Sequence, residues 1–291
     1  MGVKGERDGP SPHRISKEKP NQNLKNIMSN LSMEQWGEPI GPEVMVHSTS
    51  QQAVEQLAGE IAAGIRKRTR QGGRYVLGLA TGSTPIPLYE ELVRLHREEG
   101  LSFEKVTTFN LDEYYGLSPE SEQSYHHFMQ KHLFSKVDIA PERIHIPDGM
   151  VPRNEVERYC AEYEEAITQA GGIDLQILGI GRTGHIGFNE PPSDDSTRTR
   201  LVTLDPVTRQ DAASDFGGLD FVPKEAITMG IATILEARTA VLLAWGERKQ
   251  EIVSRSLASS PSSSIPASFL NLHQDAAYLL DEAAAPEFQP A

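Results

Sequence analysis

From Glu43 onward, short apolar runs alternate with longer amphipathic ones, a pattern that predicts strand-helix-strand units built on a parallel sheet. Four runs carry the prediction: Tyr75 to Ala80, Val106 to Leu111, Leu175 to Ile180 and Ala240 to Trp245. Each is rich in Val, Leu, Ile, Thr or Phe and nearly continuously apolar, as a strand covered on both faces should be. Helical runs separate them, among them Gln52 to Lys67, Leu88 to His96, Glu155 to Ala170 and Lys249 to Leu257. The expected fold class is α/β, with an open, mostly parallel sheet and helices on both faces.

Residues 1–40 show no sustained apolar period and are rich in Lys, Asn, Pro, Ser and Gly. They read as a disordered N-terminal tail, within which Met28 or Met33 is an alternative start. Residues 41–291 read as one α/β domain. The Ser-rich stretch Ser259 to Ser264 is short and sits between ordered-looking segments, so it reads as a loop.

Composition narrows the partners. The 291-residue chain is 38% hydrophobic, enough for a substantial core, and carries a formal charge of -13. That charge disfavours nucleic acid and anionic membrane surfaces as partners, whereas a few local cations and backbone N–H groups can still hold a small anion. One cysteine, Cys160, excludes an intrachain disulfide and a Cys-based metal cluster. No run approaches the roughly 20 apolar residues of a membrane span. The expectation is a cytoplasmic protein without metal or cofactor, monomeric or homo-oligomeric.

In open parallel sheets ligands bind beyond the carboxyl ends of the strands, and polar residues collect at four such places here. Thr81, Gly82, Ser83, Thr84 and Pro85 follow the first strand and precede a helix carrying Leu88, Tyr89, Leu92 and Val93. A glycine, two hydroxyls and free N–H groups make a phosphate or carboxylate cradle; the competing reading is an ordinary N-capped turn. Asp112 ends the second run. A carboxylate with an unperturbed pKa of about 3.9 is ionised at neutral pH and suits a general base, although Asp112 or Glu113 could instead cap a helix. After the third strand, Gly179 to Pro191 is dense in glycine and sets His185 and Glu190 on one loop, a proton shuttle with a carboxylate to orient it. Lys249 follows the fourth strand and is either a phosphate ligand or a solvated surface lysine.

Gly78 to Pro85, Phe109 to Tyr114, Ser124-Tyr125, Gly184 to Pro191 and Pro266 to Ser268, in this order, resemble the glucosamine-6-phosphate deaminase family. The resemblance runs from about Val44 to Asp281. It implies a Rossmann-like α/β fold of the deaminase, ribose-5-phosphate isomerase and CoA-transferase type. It also implies an aldose-ketose isomerising hydrolase of amino-sugar catabolism, turning glucosamine 6-phosphate and water into fructose 6-phosphate and ammonia. By motif, Asp112 would move a proton between C2 and C1, His185 would assist ring opening, and Glu190 would hold the imidazole. The Thr81-Gly82-Ser83-Thr84 turn and Lys249 would hold the phosphate, and about 204–226 would form a lid.

Three positions depart from the family pattern. Thr183 stands where an aspartate is usual, so a hydroxyl replaces a charge two residues before His185. Ser214 aligns with the lid's phosphate-binding arginine, with Arg209 and Lys224 near enough in sequence to substitute. Arg200 matches an activator-pocket residue, but Val202 replaces a lysine, so activation by N-acetylglucosamine 6-phosphate is not expected. Two alternatives accompany the deaminase reading: a 6-phosphogluconolactonase-like hydrolase, disfavoured by Asn189-Glu190-Pro191, and a non-catalytic sensor of amino-sugar phosphates.

Overall fold

The computed structural model describes residues 41–286; the expected tail over residues 1–40 and the stretch 287–291 lie outside it. In chain order its strands are β1 (Glu43–His47), β2 (Tyr75–Leu79), β3 (Val106–Asn110), β4 (Asp112–Tyr114), β5 (Ile144–His145), β6 (Leu175–Leu178), β7 (Arg200–Thr203), β8 (Glu225–Thr228), β9 (Thr239–Ala244) and β10 (Ala276–Asp281). Its α-helices are α1 (Ser50–Arg70), α2 (Ile86–Glu99), α3 (Tyr125–His132), α4 (Val156–Gln169), α5 (Pro206–Ala212), α6 (Ile231–Leu235) and α7 (Gln250–Ala258).

Seven strands form one sheet in the order β1-β10-β9-β6-β2-β3-β5, every neighbouring pair parallel. After β1 at one edge, the chain runs outward from β2 through β3 to β5, returns to the centre with β6, then runs the other way through β9 to β10, beside β1. That reversal between β2 and β6 is the topological switch point of a doubly wound sheet, where crossovers change face and leave a crevice at the strand ends. Burial follows the order: β2, β3 and β6 are buried at every position, whereas the edge strands β1 and β5 contain no fully buried residue. The four apolar runs of the sequence are therefore four of the five interior strands, β2, β3, β6 and β9, since only strands covered on both faces can be apolar throughout.

The helices obey the same packing logic. In α1 the buried residues Ala53, Val54, Leu57, Ala58, Ile61, Ala62 and Ile65 recur every three or four positions, one stripe laid on β1, β2 and β10. Thr49 caps its start by accepting the Gln52 N–H, and Lys67, Arg68 and Arg70 sit favourably in its last turn. At the end of the sheet away from the crevice, buried Asp174 accepts from Arg68 (2.5 Å), Arg238 (3.0 Å) and the Val76 N–H (2.9 Å).

A second, antiparallel sheet in the order β4-β8-β7 was not anticipated. Only Leu111 separates β3 from β4, so the chain leaves the main sheet and at once pairs Asp112 with Thr228. The connection from β7 to β8 contains α5 and a 3-10 turn at Leu219–Phe221, and it coincides with the expected lid. It packs through Leu204, Ala212, Ala213, Phe216 and Val222 on Tyr114 and Phe188. No helix of the described residues is long and apolar enough to cross a membrane.

Candidate active site

A cavity of about 240 Å³ opens at the carboxyl ends of β2, β3, β6 and β9, across the switch point. Its wall includes Thr81, Gly82, Ser83, Thr84, Asp112, His185 and Lys249, so residues from all four constellations converge. Thr183 and Glu190 stand behind the histidine.

The turn after β2 has the features of an anion cradle. Gly82 adopts a φ of +92°, which an L side chain rarely takes. Pro85 occupies the N-cap position of α2 and makes no side-chain cap, so the first N–H groups of a 14-residue helix are not claimed by a capping side chain. The ordinary N-capped turn is thereby corrected. Trp245, at the end of β9, anchors the turn by donating its indole N–H to the Thr84 carbonyl at 3.0 Å. Lys249 reaches across from the turn before α7, its Nζ donating to the Ile180 carbonyl at 2.6 Å. It is not a solvated surface lysine: burial first, then the nearby Arg182 charge, lower its pKa, with Asp211 opposing.

Asp112 is 6% exposed, and its backbone is fixed by pairing with β8. Burial, with the charge of Glu113 second, pushes its pKa up to about 8. The expectation of an ordinary carboxylate, ionised at neutral pH, is corrected: it took the solvent-exposed value, while desolvation favours the neutral carboxyl. A cation beside it would reverse the shift. The capping role considered for this pair belongs to Glu113, whose carboxylate accepts the Tyr125 (3.0 Å) and His126 (2.9 Å) N–H groups at the start of α3.

His185 lies in a tight turn in which the Gly184 N–H donates to the Gly181 carbonyl. Gly181 has to be glycine, because a Cβ there would collide with the His185 ring. The ring Nδ1 is 3.0 Å from Glu190 Oε2 and 2.8 Å from Thr183 Oγ1, and the Thr183 hydroxyl donates to the same Oε2 at 2.8 Å. Contact with a carboxylate assigns the proton to Nδ1 and leaves Nε2 to exchange one. Burial alone would raise Glu190, but hydrogen bonds from His185, Thr208 and Thr183 and the His185 charge outweigh it and hold the carboxyl below its ordinary value. Thr183 therefore orients the carboxylate and ring together without adding a charge.

Sequence reasoning missed two contributors. Thr208, buried on α5, donates to Glu190 Oε1 and ties the expected lid to the histidine loop. Tyr125 lines the cavity with its hydroxyl beside those of Thr81 and Tyr114, and its ring stacks on Phe188. Tyr125 lay within a quoted motif, whereas Thr208 has no local signal. The suggested substitutes for Ser214 are corrected: Arg209 donates to the carbonyls of Leu219, Val222 and Pro223 within the lid, Lys224 is exposed, and neither lines the cavity. Arg200 is engaged by Asn189 and Ser193.

A doubly wound sheet whose switch point joins a buried carboxyl, an imidazole oriented by a carboxylate and a glycine-hydroxyl turn at a helix start defines an open α/β protein with a polar crevice at its strand ends. The chain belongs to the glucosamine-6-phosphate isomerase/6-phosphogluconolactonase family, whose model matches residues 48–279. It is 50% identical over 229 residues to glucosamine-6-phosphate deaminase 2 of Giardia intestinalis, covering 78% of this chain and 86% of that protein. It is 46% identical over 231 residues to glucosamine-6-phosphate deaminase of Bacillus velezensis, covering 79% and 95%. A solved monomeric glucosamine-6-phosphate deaminase superposes with a TM-score of 0.79 at 43% identity, over 83% of this chain and 98% of that one. The 6-phosphogluconolactonase of Leishmania guyanensis, at 23% identity and a TM-score of 0.66 over 86% and 100% of the two chains, shares the fold.

Proposed function

We propose that this protein converts glucosamine 6-phosphate and water to fructose 6-phosphate and ammonia, with Asp112, His185, Glu190 and Thr183 as its acid-base machinery. The observation that carries the reading is one cavity faced by Asp112 and by a His185 ring held through Glu190, with the Thr81 to Thr84 turn and Lys249 on the same wall. In this reading the phosphate rests on the turn and Lys249. His185 Nε2 exchanges a proton with the ring oxygen, opening the sugar to its aldehyde. Asp112, ionised beside the substrate ammonium, removes the C2 proton while the ammonium gives up a proton that ends on the aldehyde oxygen, forming an enolamine; return of the first proton from Asp112 to C1 leaves a protonated imine at C2. Water adds to that imine and ammonia departs.

The core of this sequence is an isomerase-type proton shift; the label hydrolase refers only to the final step that consumes water. Relatives named as deaminases at 46–50% identity support this reading over lactone hydrolysis, for which the likeness is distant and in fold alone. A non-catalytic sensor fits less well, because Asp112, His185 and Glu190 are all retained at one site. We assign it to the cytoplasm, in keeping with a single cysteine that is buried. The segment 204–226 serves as the lid over a domain spanning 41–291. Purified protein incubated with glucosamine 6-phosphate should release ammonia and fructose 6-phosphate in equal amounts; binding without turnover at high protein concentration would defeat the proposal.

A further inference from the structure

A phosphate monoester brings a charge of about -1.5 to -2 at pH 7, yet Lys249 is the only lysine or arginine among the described residues that lines the cavity. A candidate for a second cation is Arg182. It follows Gly181, a wall residue, and lies two positions beyond Ile180, whose carbonyl holds Lys249 Nζ. Its guanidinium forms a two-pronged pair with Asp211 of α5, Nε to Oδ2 at 2.8 Å and Nη2 to Oδ1 at 2.7 Å. Both partners are about half exposed, at 59% and 48%, so solvent screens the pair and it is a weak tether. Three residues earlier on the same helix, Thr208 holds Glu190, so α5 touches the histidine loop at two points, one buried and one exposed.

We propose that Arg182 is an exchangeable phosphate ligand, bound to Asp211 until a sugar phosphate arrives and then shared with or transferred to the phosphoryl group. A planar, two-pronged donor suits either a carboxylate or a phosphate, so the exchange conserves its geometry. Asp211 is then a competitor that weakens binding, and Thr208 keeps the lid in place during the exchange. This inference rests on the sugar-phosphate reading of the cavity and gives one arginine the task of reporting the phosphate to the lid.

The two partners must therefore behave with opposite sign. In calorimetric titrations of the full chain with fructose 6-phosphate, Arg182→Ala should raise Kd about tenfold or more, and Arg182→Lys should fall between it and the parent. Asp211→Asn should lower Kd, and in the double variant its effect should vanish. Both sites are exposed, and unchanged thermal unfolding would verify that the variants fold. A plain lid tether would shift both single variants in the same direction; that result, or an Arg182→Ala Kd within twofold of the parent, overturns the proposal. Inorganic phosphate is the second probe. If it binds in an Arg182-dependent way while fructose 6-phosphate does not bind, the exchange stands and the deaminase reading falls; if neither binds, both fall.

Discussion

The pH dependence of turnover tests the burial of Asp112. Its pKa of about 8 arises chiefly from desolvation, so at pH 7 roughly one carboxyl in ten is ionised, and forming the base costs about 1.4 kcal/mol. A base works deprotonated, so activity is lost as pH falls through that value. Because kcat/KM reports the free enzyme, it should climb about tenfold per pH unit up to the pKa and then flatten. Substrate changes the field: an ammonium about 4 Å away, at an effective dielectric of about 20, contributes on the order of 4 kcal/mol, roughly three pKa units. The acid limb of kcat should therefore fall near pH 5, well below that of kcat/KM. Initial rates of ammonia release would give both profiles. The phosphate has its own ionisation at about pH 6, so the assignment needs a probe without substrate: a protonated-carboxyl infrared band that is lost in Asp112→Asn. If that band has already titrated by about pH 5, or if the two acid limbs coincide there, the burial argument is wrong.

Four further outcomes follow from the same geometry. Asp112→Asn should lower kcat by about two to four orders of magnitude. It should also stabilise the fold at pH 8, because a carboxyl whose folded pKa is raised loses stability as pH rises from its unfolded value; thermal unfolding should show the gain shrinking towards pH 4. Lys249→Ala should weaken fructose 6-phosphate binding about tenfold to a hundredfold, measured by calorimetry, because it removes one charge-assisted contact. Thr183→Val removes the hydroxyl shared by Glu190 and His185 and should cut kcat about tenfold or more with little change in KM, while Thr183→Ser restores it.

The main sheet was legible because its central strands are covered on both faces, and continuous apolar runs such as Tyr75 to Leu79 follow from that alone. Convergence of the site was legible for a related reason: polar residues directly after such strands must lie at one end of the sheet. The small sheet was not. Asp112–Tyr114 is three residues long and pairs with Ala226–Thr228, far along the chain, so no local period announces it. Thr208 is equally silent, since a threonine in a polar helix acquires meaning only when the lid folds onto Glu190. The error about Asp112 has this origin too. A carboxyl's titration depends on what excludes water from it, and here segments after β2, β3 and β6 share that task.

That same burial supplies a basis for substrate choice. With a pKa of about 8, Asp112 is largely uncharged at pH 7 and adds little repulsion against a phosphate entering a chain of formal charge -13. In the proposed reaction a cation beside it makes it mostly a base at pH 7, and the amino group of the sugar is that cation. A phosphorylated sugar with a hydroxyl in place of the amine meets the same cradle but leaves Asp112 protonated. Glucose 6-phosphate should thus bind without isomerising, and the carboxyl infrared band should persist in its complex. An unreactive amino-alditol 6-phosphate, which carries the ammonium but has no aldehyde, should abolish the band at pH 7. If both ligands leave the band unchanged, the amine does not switch the base, and selectivity must arise from contacts other than this charge.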